Sequence, residues 1–144
     1  METQSLHRGR LIDHIQLVVR DLDASRAFYE AVFAALGLEI SGEGEDYFWI
    51  DELFVSTASS AAAQGHLTGR HHLAFQAKDR AAVDAFYTAG LKAGGQDHGA
   101  PGERPYHPGY YAAFLLDPDG NNIEAVFHGP HERSADSVEI RFDG

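Results

Sequence analysis

The stretch HIQLVVRDLDASRAFYEAVFAALG, residues 14–37, returns as HLAFQAKDRAAVDAFYTAGLKAGG, residues 72–95. The two align without a gap at an offset of 58 residues. They share nine identities: His14/His72, Asp21/Asp79, Ala24/Ala82, Ala27/Ala85, Phe28/Phe86, Tyr29/Tyr87, Ala31/Ala89, Ala35/Ala93 and Gly37/Gly95. Unrelated segments of this length would share about one or two. Conservative pairs (Ile15/Leu73, Leu17/Phe75, Arg20/Lys78, Phe33/Leu91) extend the match. One small unit is therefore built twice, and each copy offers an imidazole at the same structural place.

Each copy reads as a strand followed by a helix. Residues 12–19 alternate, with Ile15, Leu17 and Val19 on one face and His14, Gln16 and Val18 on the other. In the second copy Leu73, Phe75 and Ala77 oppose His72, Ala74 and Gln76. A period of two is the mark of a half-buried strand. Asp21-Leu22-Asp23 and Asp79-Arg80 suit a helix N-terminus. Phe28, Ala31, Val32 and Ala35 follow at helical spacing, as do Ala82, Phe86, Ala89 and Ala93. Gly37 and Gly94-Gly95 stop the helices. The helix must cover the apolar strand face, so the histidines and glutamines face away from it.

Shorter strands follow each helix: residues 38–41, 47–50 and 53–57 in the first unit, with Asp51-Glu52 as a turn. In the second they fall near 96–98, at 110–116 and at 122–128, the last two joined by Asp117-Pro118-Asp119-Gly120. Proline beside aspartate and glycine is a strong turn signal. Each unit is thus βαβββ. Residues 58–69 are small and polar and read as a linker, and 129–144 as a tail ending in a strand at 138–142.

Composition narrows the function. At 144 residues the chain is one domain with room for a core. It is 44% apolar and 23% charged, an ordinary globular balance. No apolar run is long enough to span a membrane, and the N-terminus lacks an apolar signal region, which predicts a cytoplasmic protein. With no cysteine there is no disulfide, thiolate metal site or thiol nucleophile. A formal net charge of -11 argues against nucleic acid and anionic membranes as partners. Neither a Gly-x-Gly-x-x-Gly nor a Walker pattern occurs.

The βαβββ duplication, Ile12-Asp13-His14, the run from Asp21 to Tyr29, and Asp117-Pro118-Asp119-Gly120-Asn121-Asn122-Ile123-Glu124 together resemble the vicinal oxygen chelate superfamily. That group includes glyoxalase I, extradiol dioxygenases, fosfomycin-modifying thiol transferases and bleomycin-sequestering proteins. The resemblance covers residues 11–128 and implies an α+β fold. Two tandem βαβββ modules (11–57 and 70–128) would form a U-shaped mixed sheet around a metal-site cavity. It also implies a homodimer, with modules paired within the chain or swapped between chains. If swapped, His14 would join His72 and Glu124 of the partner.

Carried over residue by residue, the superfamily's metal ligands are His14, His72 and Glu124. Two imidazoles and a carboxylate suit one divalent ion with open positions, namely iron, manganese, nickel or zinc. A fourth, glyoxalase-like ligand is not supplied by Leu53-Phe54-Val55-Ser56-Thr57, and His66 falls in the linker. Arg133, nine residues past Glu124, sits where the thiol transferases use an arginine. The order His107, Asp117-Pro118-Asp119-Gly120, Glu124 matches the dioxygenases, but their catalytic tyrosine is Phe114 here. A phenyl ring cannot relay a proton. Tyr110 shares its strand parity and is the substitute.

The resulting expectation is a divalent-metal-dependent enzyme acting on a small substrate that chelates the ion through neighbouring oxygens. Glu124, His107 and Tyr110 are its candidate catalytic groups. Gln16, Gln76, Trp49, Tyr111 and Arg133 are candidate substrate contacts. The alternative is a non-catalytic protein that sequesters a drug or metabolite. Tyr29 and Tyr87 belong to the repeat and read as structural.

Overall fold

The repeat's shared aspartates each start a helix. Asp21 Oδ1 accepts the Ala24 N–H at 3.1 Å and Asp79 Oδ1 the Ala82 N–H at 2.8 Å, the N-cap bond that satisfies an orphan helical donor. The computed structural model describes residues 3–8, 11–133 and 137–143. In chain order these form β1 (Thr3–Arg8), β2 (Ile15–Val18), α1 (Leu22–Ala35), β3 (Gly42–Glu43), β4 (Tyr47–Ile50) and β5 (Leu53–Ser56). After a 3-10 turn at Ala61–Ala63 come β6 (His72–Gln76), α2 (Arg80–Lys92), β7 (Gln96–Glu103), β8 (Tyr111–Leu116), β9 (Asn122–Phe127) and β10 (Val138–Asp143). Gly37 and Gly94, at φ +85° and +100°, end the two helices in the left-handed region that favours glycine. Among the described residues no helix is long and apolar enough to cross a membrane.

The duplication is visible in the sheets. One has the order β2-β5-β4-β3 and the other β6-β9-β8-β7, each four-stranded and mixed, with a single parallel pair (β2/β5, β6/β9). β2, which His14 precedes, and β6, which His72 begins, are edges of their sheets, and the two sheets are not hydrogen-bonded to one another. A separate ribbon pairs β1 with β10, Thr3 opposite Asp143 through Arg8 opposite Val138.

The parity read from the sequence holds. Leu17, Val19, Phe48, Ile50, Leu53 and Val55 of the first module are buried, as are Ala113, Leu115, Ile123 and Ala125 of the second, where α2 covers β8 and β9. The modules meet back to back through these helices in one continuous core. Phe33 meets Phe75 edge-on at 4.8 Å, and Phe28 packs beside Gly90 and Gly95. Tyr29 crosses from α1 to the second module, where its hydroxyl donates to Asp117 Oδ2 at 2.5 Å. Burial, and then Asp117, hold the Tyr29 phenol well above its ordinary pKa, so it remains the donor. Asp117 also accepts from Asp119 N, Asn121 N and Asn121 Nδ2, which satisfies a nearly dry carboxylate.

Three local expectations need correcting. The strand placed at 38–41 lies instead at Gly42–Glu43, because Leu38 N–H is still bonded to Phe33 O in the helix terminus. The strand near 96–98 runs on to Glu103; Gly99, Pro101 and Gly102 disguised it, and its register against β8 shifts on either side of Gly99. The strand at Thr3–Arg8 has no counterpart in the sequence reading, whereas its partner, expected at 138–142, runs from Val138 to Asp143.

Gly90 measures how tightly the modules fit. An alanine Cβ there would fall inside the contact radius of Leu115 Cδ1 and 3.0 Å from Val32 Cγ1. Glycine to alanine inside a helix ordinarily gains about 0.5–1 kcal/mol. Here the clash reverses the sign, and Gly90→Ala is expected to destabilise by about 1–3 kcal/mol. Urea denaturation checks this; an unchanged midpoint would show that the helices have slack.

Candidate functional site

On the sheet face turned away from the helices, β6, β9, β8 and β7 place Ala74, Glu124, Phe114 and Gly99 in one cross-strand row. His72, Asn122 and Leu116 form the adjoining row. Side chains on the diagonal of a strand pair also come within reach of one another, and the diagonal between the two rows makes the first polar contact. His72 Nε2 lies 3.0 Å from Glu124 Oε1, with the carboxylate 3% exposed and the imidazole half-exposed.

The tautomer follows from the neighbours. His72 Nδ1 is 3.0 Å from the Asn122 carbonyl, which can only accept, so Nδ1 carries the hydrogen. Nε2 then presents its lone pair to a carboxylate oxygen. Two acceptors repel at that distance unless a proton or a cation lies between them. On the far side of Glu124 the Tyr110 hydroxyl donates to Oε2. Burial, followed by the Glu124 carboxylate, raises the Tyr110 pKa, which keeps the phenol protonated as a donor. Nearby, Asn122 Oδ1 is buried with no hydrogen-bond partner among the described residues. The face therefore holds an unfilled acceptor beside a buried carboxylate.

His14 is prepared in the same manner but stands elsewhere. It precedes β2, is largely exposed, and its Nδ1 lies 2.6 Å from Asp13 Oδ1. A carboxylate fixes Nδ1 as the donor and leaves Nε2 bare, the arrangement that orients metal-binding histidines. Among the described residues no three His, Asp or Glu side chains gather to hold one ion. Back-to-back packing accounts for this, since it leaves β2 and β6 as separate edges.

The remaining candidates divide. His107 Nε2 lies 2.9 Å from His128 Nδ1, the rings stack at 5.1 Å, and both meet Tyr110 edge-on. His107 Nδ1–H donates to Pro108 O at 2.9 Å, so in the neutral pair His128 Nδ1–H donates to His107 and His128 Nε2 is the free base. Gln16 is on the expected face, its Nε2 donating to Ser56 Oγ and Ser60 Oγ. Gln76 is exposed on β6, and half-buried Trp49 lies on the corresponding face of β4 beside the stacked pair Tyr47 and Phe54, 5.2 Å apart. Tyr111 is a correction. Its parity on β8 turns it to the helix side, where its hydroxyl donates to Asp84 at 2.7 Å and Arg80 lies over its ring. Arg133 is exposed beyond β9, and His66 is exposed in the linker. Sequence reasoning passed over His128 and Asp13. Both had a signal: His128 shares parity with Glu124 four residues on, and Asp13 adjoins a histidine already singled out.

Comparison with known proteins follows the same lines. Residues 11–125 match the family described as Glyoxalase/Bleomycin resistance protein/Dioxygenase superfamily. An uncharacterised protein of Pseudomonas aeruginosa is 30% identical over 140 residues, 90% of this chain and 96% of that one. The crystal structure of a glyoxalase/bleomycin resistance protein from Albidiferax ferrireducens is similar at TM-score 0.68 and 29% identity, covering 81% of this chain and 97% of the other. A lactoylglutathione lyase from Agrobacterium tumefaciens is similar at TM-score 0.59 and 27% identity, covering 81% and 92%.

Proposed function

Because the chain belongs to the glyoxalase/bleomycin resistance protein/dioxygenase superfamily, we propose that it is a divalent-metal-dependent enzyme whose site two copies of the chain complete together. The observation that carries this reading is the 3.0 Å approach of His72 Nε2 to the buried Glu124 Oε1. Two adjacent ligands, each about 2.1 Å from an octahedral ion, stand about 3 Å apart, so this spacing fits a shared ion. Both imidazoles have Nδ1 engaged and Nε2 bare. In this reading the modules of different copies meet edge to edge, bringing His14 of one beside His72 and Glu124 of the other. Exposed Leu11, Ile12 and Ile15 surround His14 at that edge and supply apolar surface for such a contact.

A bound ion would supply Lewis-acid charge to two neighbouring oxygens of a small substrate. The chain's own groups do the rest. Glu124 Oε1 and His72 Nε2 hold the position, and Tyr110, kept protonated, fixes Glu124 Oε2 so that one carboxylate oxygen remains to bind. His128 Nε2, its tautomer set through His107, is the atom able to take a proton from the substrate. The ion itself is iron, manganese, nickel or zinc on the chemistry of the donor set. The rings of Tyr47, Trp49 and Phe54 support a second reading, sequestration of a flat cationic molecule without chemistry.

Metal content of protein purified without an affinity tag tests the first reading, with about one removable ion per chain expected. Pairing variants tests the architecture. His14→Ala and Glu124→Ala dimers should each lose the ion, whereas mixed dimers should regain one intact site of their two. No metal in any form would favour sequestration, and no recovery in mixed dimers would return the site to a single chain.

A further inference from the structure

Arg104 has a seat built for it on the same face. Its guanidinium lies 5.3 Å from the centroid of Phe114, the residue directly opposite Glu124 on the neighbouring strand. The space it fills belongs to glycines. A Cβ at Gly99 would come within 3.2 Å of Arg104 Nη2 and 3.0 Å of Phe114 Cδ1, and one at Gly102 within 3.1 Å of Arg104 Nη1. Gly99 is opposite Phe114 on β7, so Arg104 folds back to occupy the fourth place in the row that contains Glu124. Two backbone carbonyls hold it there, Ala100 O at 2.7 Å from Nη2 and Glu103 O at 3.4 Å from Nη1. The other three of its five N–H groups have no acceptor among the described residues.

From this placement we infer that Arg104 is the specificity residue of the site and that the substrate carries a carboxylate remote from its chelating oxygens. The inference uses the metal reading only to locate the chelated end. Adjacent strands are about 4.8 Å apart, so Glu124 and the Arg104 seat are separated by roughly two strand spacings. A small ring or short chain bearing oxygens at one end and a carboxylate at the other spans that gap across Phe114. A chain of net charge -11 repels anions at long range, so an anion must be captured locally. A guanidinium held over an aromatic ring, its outer N–H groups unspent, is suited to a two-point bond with a carboxylate.

Calorimetric titration of the whole protein with catechol and with 3,4-dihydroxybenzoate, with and without zinc, tests this. The probes share vicinal hydroxyls and differ by the carboxylate. The parent should bind the acid at least about tenfold more tightly, a difference of about 1.4 kcal/mol. Arg104→Gln should bring the two within about twofold while leaving catechol affinity and melting temperature unchanged, and Arg104→Lys should restore part of the preference. Equal binding of the probes by the parent, binding of neither, or a preference that survives Arg104→Gln would overturn it. Loss of the zinc increment with the charge preference intact would count against the metal and not against Arg104.

Discussion

Phe28→Ala is expected to cost about 3–5 kcal/mol, more than any other single truncation proposed for this chain. Phe28 is fully buried, packs edge-on against Tyr29 at 5.0 Å, and lies over Gly90 and Gly95 of the other module. Glycines cannot move side chains into the space left behind, so the cavity stays open and the penalty lies toward the upper end. The melting temperature should fall by roughly 10–20 °C. Urea denaturation gives the free energy; a loss below about 1 kcal/mol would mean that the helix interface relaxes freely around the hole.

What made Phe28 legible was the repeat. Aligned with Phe86, it fell on the helix stripe, and both proved fully buried. The alternation around His14 and His72 likewise separated the helix-packed face from the opposite one, and Glu124, which the family resemblance implied, lies on the same face as His72. Other features had no sequence signal. The same apolar helix stripes serve modules packed back to back or edge to edge, so nothing in residues 14–37 could say that His14 would stand apart from His72. Gly99 and Gly102 fall outside the strands expected from the sequence, although they create the space for the side chain of Arg104, five and two residues further on. Tyr111 was misread because Tyr110 and Tyr111 are adjacent, and β8 turns only one of them toward Glu124.

The second large effect is on metal affinity. Glu124→Gln is expected to weaken binding by at least about 100-fold, roughly 2.7 kcal/mol, by removing the anionic ligand. The fold should not suffer. An amide keeps the shape of the carboxylate, its oxygen can still accept from Tyr110, and taking a charge out of a nearly dry site is neutral or favourable. The two measurements should therefore separate. Without metal the melting temperature of Glu124→Gln matches or exceeds the parent's, while the rise on adding metal disappears. If the variant keeps its ion, Glu124 is a structural carboxylate tied to His72 and Tyr110. If it unfolds, the buried charge contributes to the core in a way its two neighbours do not explain.

The two tyrosines that the repeat shares have parted company. Tyr29 reaches across to Asp117, whereas Tyr87, its repeat mate, faces Asp97 within its own module, which raises its phenol pKa. The corresponding turns of the two modules differ too, Asp51-Glu52 between β4 and β5 against the five residues 117–121 between β8 and β9. The halves are consequently no longer interchangeable. A chain assembled from two copies of the first module would keep the helix stripes but offer Tyr29 no knotted carboxylate, leaving a buried phenol unsatisfied on each side of the junction. Two copies of the second would offer the carboxylate to Tyr87, whose hydroxyl already faces Asp97 of its own module. What was once a symmetric pairing of identical units has become a lock with one key side, and the asymmetry commits each half to the other.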